Sequence, residues 1–177
     1  IGSQASHFEY YWELRRAGLR VAPTSSLWRL HTISYRNHRK ITVIDGRIAY
    51  TGGMNIGREH IDGGDRFRLW RDTQIRIEGQ AAAVLQAVFM IDWYNATREN
   101  LFSPDYFSHE RTDPPDEDES TTQSDRTFSD VPVQILPSGP DSRWAAIRQL
   151  YSLMIVSARH HVYIQSPYFI LDTSMAE

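Results

Sequence analysis

Residues 37–55, NHRKITVIDGRIAYTGGMN, are the stretch of sequence that decides the predicted fold and chemistry. A histidine and a lysine stand two positions apart. Four residues separate the lysine from an aspartate, and six residues separate the aspartate from a Gly-Gly-x-Asn group. The fixed positions are His38, Lys40, Asp45, Gly52, Gly53 and Asn55. β-Branched and aromatic residues are frequent from 32 to 45, which indicates an extended chain, and Asp45-Gly46 favours a hairpin. We therefore expect a β-hairpin whose return strand is RIAYT, residues 47–51.

The extended chain predicts the chemistry of this stretch. Residues two apart share a face of a strand, so His38 and Lys40 should project together. An ammonium stabilises the negative charge that grows on a phosphodiester during attack, and an imidazole can attack phosphorus. Lys40 is also the only lysine among 19 basic residues. We interpret the pair as a candidate catalytic site for phosphodiester chemistry.

The other fixed positions have supporting roles in this interpretation. Asp45 is an odd number of residues from Lys40, so on a strand its side chain should point away from the phosphate that His38 and Lys40 face. We therefore expect Asp45 to hold the hairpin or to pair with a neighbouring cation, and not to take part directly in the reaction. Gly52 and Gly53 allow the backbone to come close to a ligand, and the Asn55 amide can donate to a phosphate oxygen.

Outside the motif, helical and extended patterns alternate, which predicts an α/β fold. Helices are expected at residues 6–18 (capped by Ser6 and Glu9 and closed by Gly18), at 80–97, and after a cap at Asp141 or Ser142. The apolar face of the second helix is predicted to hold Ala81, Val84, Leu85, Val88 and Phe89, and that of the third Trp144, Ile147, Tyr151 and Met154. Further strands are expected at 19–23, 72–78, 131–137 and 161–165.

Composition divides the chain into three parts. Residues 103–130 are acidic, rich in Ser and Thr and poor in aliphatic residues, which predicts a flexible linker. Residues 1–102 before it should form a first domain that is incomplete at its N-terminus. The strand and helix patterns restart after the linker, so residues 131–177 should be the start of a second, truncated domain of the same kind. We expect the chain to be part of a longer polypeptide.

Charge and residue usage narrow the function. Residues 1–80 carry 13 basic and 8 acidic residues, whereas residues 81–177 carry 6 basic and 14 acidic ones. A basic first half suits an anionic substrate or an anionic membrane surface. Cysteine is absent, so disulfides and thiolate metal sites are excluded, and the scattered histidines form no metal-binding motif. The longest apolar stretch, 81–91, is too short to cross a bilayer.

The motif resembles the HKD signature of the phospholipase D superfamily at every fixed position. LWRDTQIRIEG at residues 69–79, VPVQILPSGPD at 131–141 and HVYIQSPYFILD at 161–172 extend the resemblance to bacterial cardiolipin synthases within that superfamily. The resemblance implies a phospholipase D-like α-β-α sandwich, a mixed central sheet with flanking helices. Residues 1–102 would be its first half-domain.

The resemblance also implies a mechanism and a set of roles. Two HKD motifs, one from each half of the polypeptide, would meet at one active site, and this chain holds only the first. One histidine would form a covalent phosphohistidine, for which we favour His38, while the second protonates the leaving alcohol and activates the acceptor. Lys40 and Asn55 would bind the phosphate, and Asp72 matches the family's acid that orients the histidine ring.

The reaction implied is phosphatidyl transfer between two phosphatidylglycerol molecules, giving cardiolipin and glycerol at a bacterial cell membrane. The catalytic domain would face the cytoplasm or bind peripherally. No cofactor, metal or nucleic acid is expected. The alternatives are another superfamily phosphodiesterase, namely a phospholipase D, a phosphatidylserine synthase or a dimeric nuclease, and, in a different class, a non-catalytic phosphodiester-binding scaffold. The acidic second half argues against the nuclease, and the complete His38, Lys40 and Asn55 set argues against the scaffold.

Overall fold

The secondary structure comes from a computed structural model that describes residues 8–24, 37–57, 59–62, 70–107, 130–139, 143–166 and 170. In chain order the elements are α1 (Phe8–Arg16), β1 (Ile41–Ile44), β2 (Ile48–Gly52), α2 (Glu59–Asp62), β3 (Gln74–Glu78), α3 (Gln80–Thr97), the 3₁₀ helix η1 (Pro104–Tyr106) and α4 (Ala146–Ser157). The chain divides into two units, residues 1–135 and 136–177. The linker and the domain bounds predicted from composition stay predictions, because residues 108–129 lie outside the described ranges.

The predicted hairpin is confirmed. β1 and β2 pair antiparallel, with Ile44 opposite Ile48 at the turn. Asp45 and Gly46 have φ values of 51° and 67°, the two positive values that a type I′ turn requires. The Arg47 N–H donates to the Ile44 carbonyl at 3.0 Å and closes the turn. A glycine meets this φ requirement without strain, and an aspartate tolerates it better than most residues do.

A third strand completes the sheet. β3 pairs antiparallel with β2, so the strand order is β1-β2-β3. The strand predicted over residues 72–78 is confirmed, and it begins two residues later than predicted. Within the described residues the fold is thus α/β with an antiparallel sheet of three strands. The larger mixed sheet stays a prediction.

Helix α3 covers one face of this sheet. Its bounds agree with the predicted 80–97, and its Ala82 and Leu85 pack on Ala49 of β2. Ala49 and Ala82 are completely buried, and such small side chains let a helix approach a sheet closely. Four partly buried residues complete this core, namely Ile41, Val43, Ile77 and Ile135.

The predicted apolar face of α3 is only partly correct. Leu85 is buried as expected, but Val84 and Phe89 are 46% and 43% exposed, and the buried set includes Gln86 and Met90 instead. The helix sequence is apolar on nearly every side, so its pattern does not single out one face. Gln86 tolerates burial because its Nε2 donates to the Tyr106 carbonyl at 2.5 Å.

Helix α1 ends as the sequence predicts. The Leu19 N–H donates to the Leu14 carbonyl and the Gly18 N–H to the Arg15 carbonyl, both at 3.0 Å. These bonds form a Schellman motif around Gly18, whose φ is 89°. The predicted cap at Ser6 lies outside the described residues.

Three strand predictions are wrong for the described residues. The segments 19–23, 131–137 and 161–165 contain no strand. A β-rich composition favours an extended backbone, but a strand also needs a neighbour that accepts and donates its hydrogen bonds. The described sheet ends at β1 and β3 and pairs with none of these segments.

The unit of residues 136–177 contains helix α4. The predicted helix is confirmed and begins at Ala146, so Trp144 precedes it, and the predicted caps lie outside the described residues. Ile147, Tyr151 and Met154 are all at least 36% exposed within the described structure. No helix in the described ranges combines the length and the apolar character that crossing a bilayer requires.

Candidate functional site

The structure brings His38 and Lys40 together just before β1. Lys40 Nζ lies 2.7 Å from His38 Nδ1 and 3.2 Å from Nε2. The same ammonium donates to the His38 carbonyl at 2.8 Å. His38 is exposed and Lys40 is half-buried. An imidazole open to an incoming molecule therefore stands beside a cation that is partly withdrawn from water.

Burial changes the acidity of that cation. Desolvation lowers the pKa of Lys40 below its usual value, and the negative charge of Asp72 opposes this by raising it. A poorly solvated ammonium attracts an anion more strongly than one in bulk water does. Asp72 favours the charged form but does not cancel the larger effect of burial, so the pKa of Lys40 remains lowered.

Asp72 occupies space that exists because residue 53 is glycine. A Cβ on Gly53 would overlap the Asp72 carboxylate, and the Gly53 N–H donates to the Thr73 carbonyl at 3.0 Å. Asp72 Oδ1 in turn accepts from the Thr73 N–H at 2.8 Å. A Cβ on Gly52 would likewise overlap the Thr73 carbonyl. The two glycines thus admit the start of β3, and their close approach to a ligand stays a prediction.

The remaining predicted site residues lie outside the contact of His38 with Lys40, Asp45 at one end of the β1–β2 hairpin and Asn55 at the other. Asp45 is exposed at the hairpin tip, at the far end of β1 from Lys40. At about 3.3 Å per residue, five residues of strand separate the two by roughly 16 Å. Asn55 is exposed in the turn after β2. The position of Asp45 fits the hairpin role, while the contacts of Asn55 with a phosphate and of Asp72 with the imidazole stay predictions.

Sequence reasoning missed Asp92 of α3. Asn37 Nδ2 donates to Asp92 Oδ2 at 2.6 Å, and Arg39 Nη1 lies 2.8 and 2.9 Å from the two carboxylate oxygens. Arg39 and Asp92 are 53 residues apart in sequence. The available signal was the alternation of Asn37 and Arg39 with His38 and Lys40 in a segment that the sequence predicts to be extended.

The chain has relatives among known proteins. It is 40% identical over 175 residues to a cardiolipin synthase of Geobacillus kaustophilus, an alignment that covers 97% of this chain and 32% of that protein. It is 36% identical over 176 residues to cardiolipin synthase 1 of Bacillus cereus, covering 97% of this chain and 33% of the relative. Cardiolipin synthase 2 of Staphylococcus epidermidis is 44% identical over 144 residues, which are 80% of this chain and 26% of the relative.

All three relatives are bacterial synthases. The chain is homologous to bacterial cardiolipin synthases. It spans about a third of the length of the curated relatives that it matches. No family model and no solved structure matches the chain.

Proposed function

We propose that the complete polypeptide containing this chain transfers a phosphatidyl group from one phosphatidylglycerol molecule to another, forming cardiolipin and releasing glycerol. The observation that carries the proposal is the contact between the exposed His38 imidazole and the half-buried Lys40 ammonium. Homology to bacterial cardiolipin synthases supports the choice of substrate and product. The proposed fold of the complete protein is correspondingly phospholipase D-like, with an α-β-α sandwich.

In the first half-reaction a lone pair of the His38 ring attacks the phosphorus of phosphatidylglycerol. A P–N bond forms, the P–O bond to glycerol breaks, and a second histidine elsewhere in the polypeptide gives the glycerol oxygen its proton. Lys40 must turn from the ring nitrogen to a phosphate oxygen, a change within the reach of its flexible side chain. Its ammonium then stabilises the charge that concentrates on the phosphoryl oxygens.

The second half-reaction reverses these bond changes with a new alcohol. The second histidine takes the proton from a hydroxyl of another phosphatidylglycerol molecule, whose oxygen attacks phosphorus. The new P–O bond forms, the P–N bond to His38 breaks, and cardiolipin leaves. The phosphohistidine keeps the phosphodiester energy between the two steps, so the proposed reaction needs no nucleotide.

The other residues support these steps in the proposal. Asn55 donates to a phosphate oxygen, and Asp72 favours the charged form of Lys40 and is proposed to orient the imidazole. Asp45 holds the hairpin on which the pair is mounted. The substrate is presented at the bacterial membrane, whose anionic surface suits the basic residues 1–80.

The test is substitution of His38 in the complete polypeptide. We expect His38→Ala to lower cardiolipin formation from phosphatidylglycerol vesicles by at least about 10³-fold, because removal of a covalent nucleophile removes the whole pathway. Cardiolipin and glycerol should appear in equal amounts with the unmodified protein. Radiolabelled phosphatidylglycerol should leave an acid-labile phosphoenzyme that His38→Ala lacks.

The matched control is His161→Ala, which removes another exposed histidine from the second unit. It should leave turnover unchanged. Phosphatidic acid in place of cardiolipin would assign the protein to the hydrolases instead. Undiminished transfer in the His38→Ala variant would overturn the proposed catalytic role of the histidine.

A further inference from the structure

The side chains of residues 37–40 form two alternating pairs, and each pair makes its own set of contacts. His38 and Lys40 contact each other on one side. Asn37 and Arg39 both contact Asp92 on the other side. None of these four residues belongs to a strand, so the sheet hydrogen bonds do not hold them. Among the described residues, the contacts of Asn37 and Arg39 with Asp92 tie this short segment to α3.

Asp92 is well placed to hold the segment. Its side chain is only 22% exposed, and it receives one hydrogen bond from Asn37 and close contacts from Arg39 to both oxygens. Asn37 Oδ1 also accepts from the Arg39 N–H at 2.8 Å, which ties the backbone into the same network. Charge-assisted hydrogen bonds of this type are stronger and geometrically more specific than neutral ones.

The carboxylate is itself fixed to the core of the first unit. Asp92 lies on α3, the helix whose Ala82 and Leu85 pack on β2. The sheet thus fixes α3 by packing, and α3 fixes the segment before β1 through the contacts of Asp92 with Asn37 and Arg39. Catalytic groups need support of this kind, since a displacement of about 1 Å can reduce a rate about 100-fold.

We propose that Asp92 is a positioning residue that holds His38 and Lys40 in their mutual contact by anchoring the alternate residues Asn37 and Arg39. The inference rests on the proposed function for its effect on turnover, but the anchoring itself does not depend on that function. In this role Asp92 need not contact the substrate. Its influence passes entirely through the backbone of residues 37–40.

The test compares Asp92→Asn with a matched control in the complete polypeptide. Asp92→Asn keeps the size of the side chain and removes the charge that holds Arg39. Glu99→Gln is the control, because it removes the same kind of charge from a residue just after α3 whose carboxylate contacts Arg20 and Trp93 instead of Asn37 and Arg39. Arg39→Gln releases the same anchor from the other side and replaces Asp92→Asn if that variant does not fold.

Two readouts separate positioning from folding. The first is the pH dependence of Lys40 acylation, followed by mass spectrometry of the peptide that carries it. Burial lowers the pKa of Lys40, so release of the segment into water should move the labelling midpoint to higher pH. The second is turnover per folded molecule, which should fall about 10- to 100-fold.

Glu99→Gln should change neither readout. Asp92→Asn combined with Arg39→Gln should lose no more turnover than either variant alone, since both remove one anchor. An unchanged labelling midpoint and unchanged turnover per folded molecule in Asp92→Asn would overturn the inference. If the unmodified protein transfers no phosphatidyl group, the proposed function fails, and the labelling midpoint still decides whether Asp92 positions Lys40.

Discussion

The candidate site depends on contacts that single residues permit or provide. Lys40 is the only lysine of the chain. Burial lowers the pKa of its ammonium, and the charge of Asp72 raises it. Asp72 can approach because Gly53 has no side chain. Gly53 does not have a positive φ, so its lack of a Cβ matters for space and not for backbone conformation.

Gly53→Ala should therefore disturb the site without straining the backbone. The new Cβ overlaps the Asp72 carboxylate, which has to move. Since Asp72 raises the pKa of Lys40, its displacement should lower that pKa further and reduce the charged fraction of the ammonium. We expect phosphatidyl transfer in the complete polypeptide to fall about tenfold, with the loss greatest at high pH. Turnover measured across the pH range checks this.

The control for Gly53→Ala is the same substitution in an Asp72→Ala background. With the carboxylate absent, the added methyl group has room, so Gly53→Ala should have little further effect. A full additional tenfold loss in that background would show that Gly53 acts through something other than Asp72.

The sequence predicted part of this site and could not predict the rest. The contact of His38 with Lys40 was expected from strand alternation, which is local information, but the two residues meet just before β1 and not within the strand that was predicted. Asp92 lies 53 residues from Arg39, beyond the hairpin and β3, and no local pattern relates the two. Asp72 was named through resemblance alone, and its place beside Gly53 emerges only when β2 and β3 pair.

At the scale of elements, prediction succeeded where local chemistry decides the outcome. The Asp45-Gly46 turn, the end of α1 at Gly18 and the bounds of α3 all depend on neighbouring residues. The face that α3 buries depends on the sheet beneath it, and strand formation depends on a partner. For these reasons the buried face was only partly predicted, and three expected strands are coil in the described structure.

The hairpin tip offers a prediction for the stability of these elements. A Cβ on Gly46 would lie 2.9 Å from the Tyr106 carbonyl oxygen and 3.1 Å from Gln86 Oε1, so the tip is crowded by η1 and α3. Gly46→Ala should lose about 1–2 kcal/mol from the strained positive φ and more from this crowding. Urea denaturation of the protein measures the loss.

Gly18→Ala separates the two causes. Gly18 also has a positive φ, 89°, at the left-handed position of the Schellman motif, but a Cβ there meets nothing within 4 Å. It should lose only the conformational part, so Gly46→Ala should be the more destabilising of the two. Equal losses would mean that η1 and α3 yield to the added methyl group and do not restrain the tip.

At the scale of the whole molecule, homology and sequence pattern agree on the class of protein but concern only part of its length. The chain spans about a third of the cardiolipin synthases that it matches. It contains a single His-x-Lys, because it contains a single lysine. The proposed reaction needs a second histidine that donates and accepts protons on the far side of phosphorus from His38.

The 177-residue chain by itself should consequently be inactive. Without the second histidine, neither the departing glycerol nor the incoming alcohol has a proton partner, and general acid–base catalysis typically contributes about 10²- to 10⁴-fold. We expect no cardiolipin formation above that of the His38→Ala chain, measured with phosphatidylglycerol vesicles on protein that shows a urea unfolding transition. Turnover that is proportional to chain concentration would contradict the need for two motifs in one active site.

Turnover that rises with the square of chain concentration would instead mean that two copies of the chain pair their His38 residues in one active site, as a dimeric nuclease of the superfamily would. The order of the reaction in chain concentration therefore distinguishes an active site built within one polypeptide from one built between two.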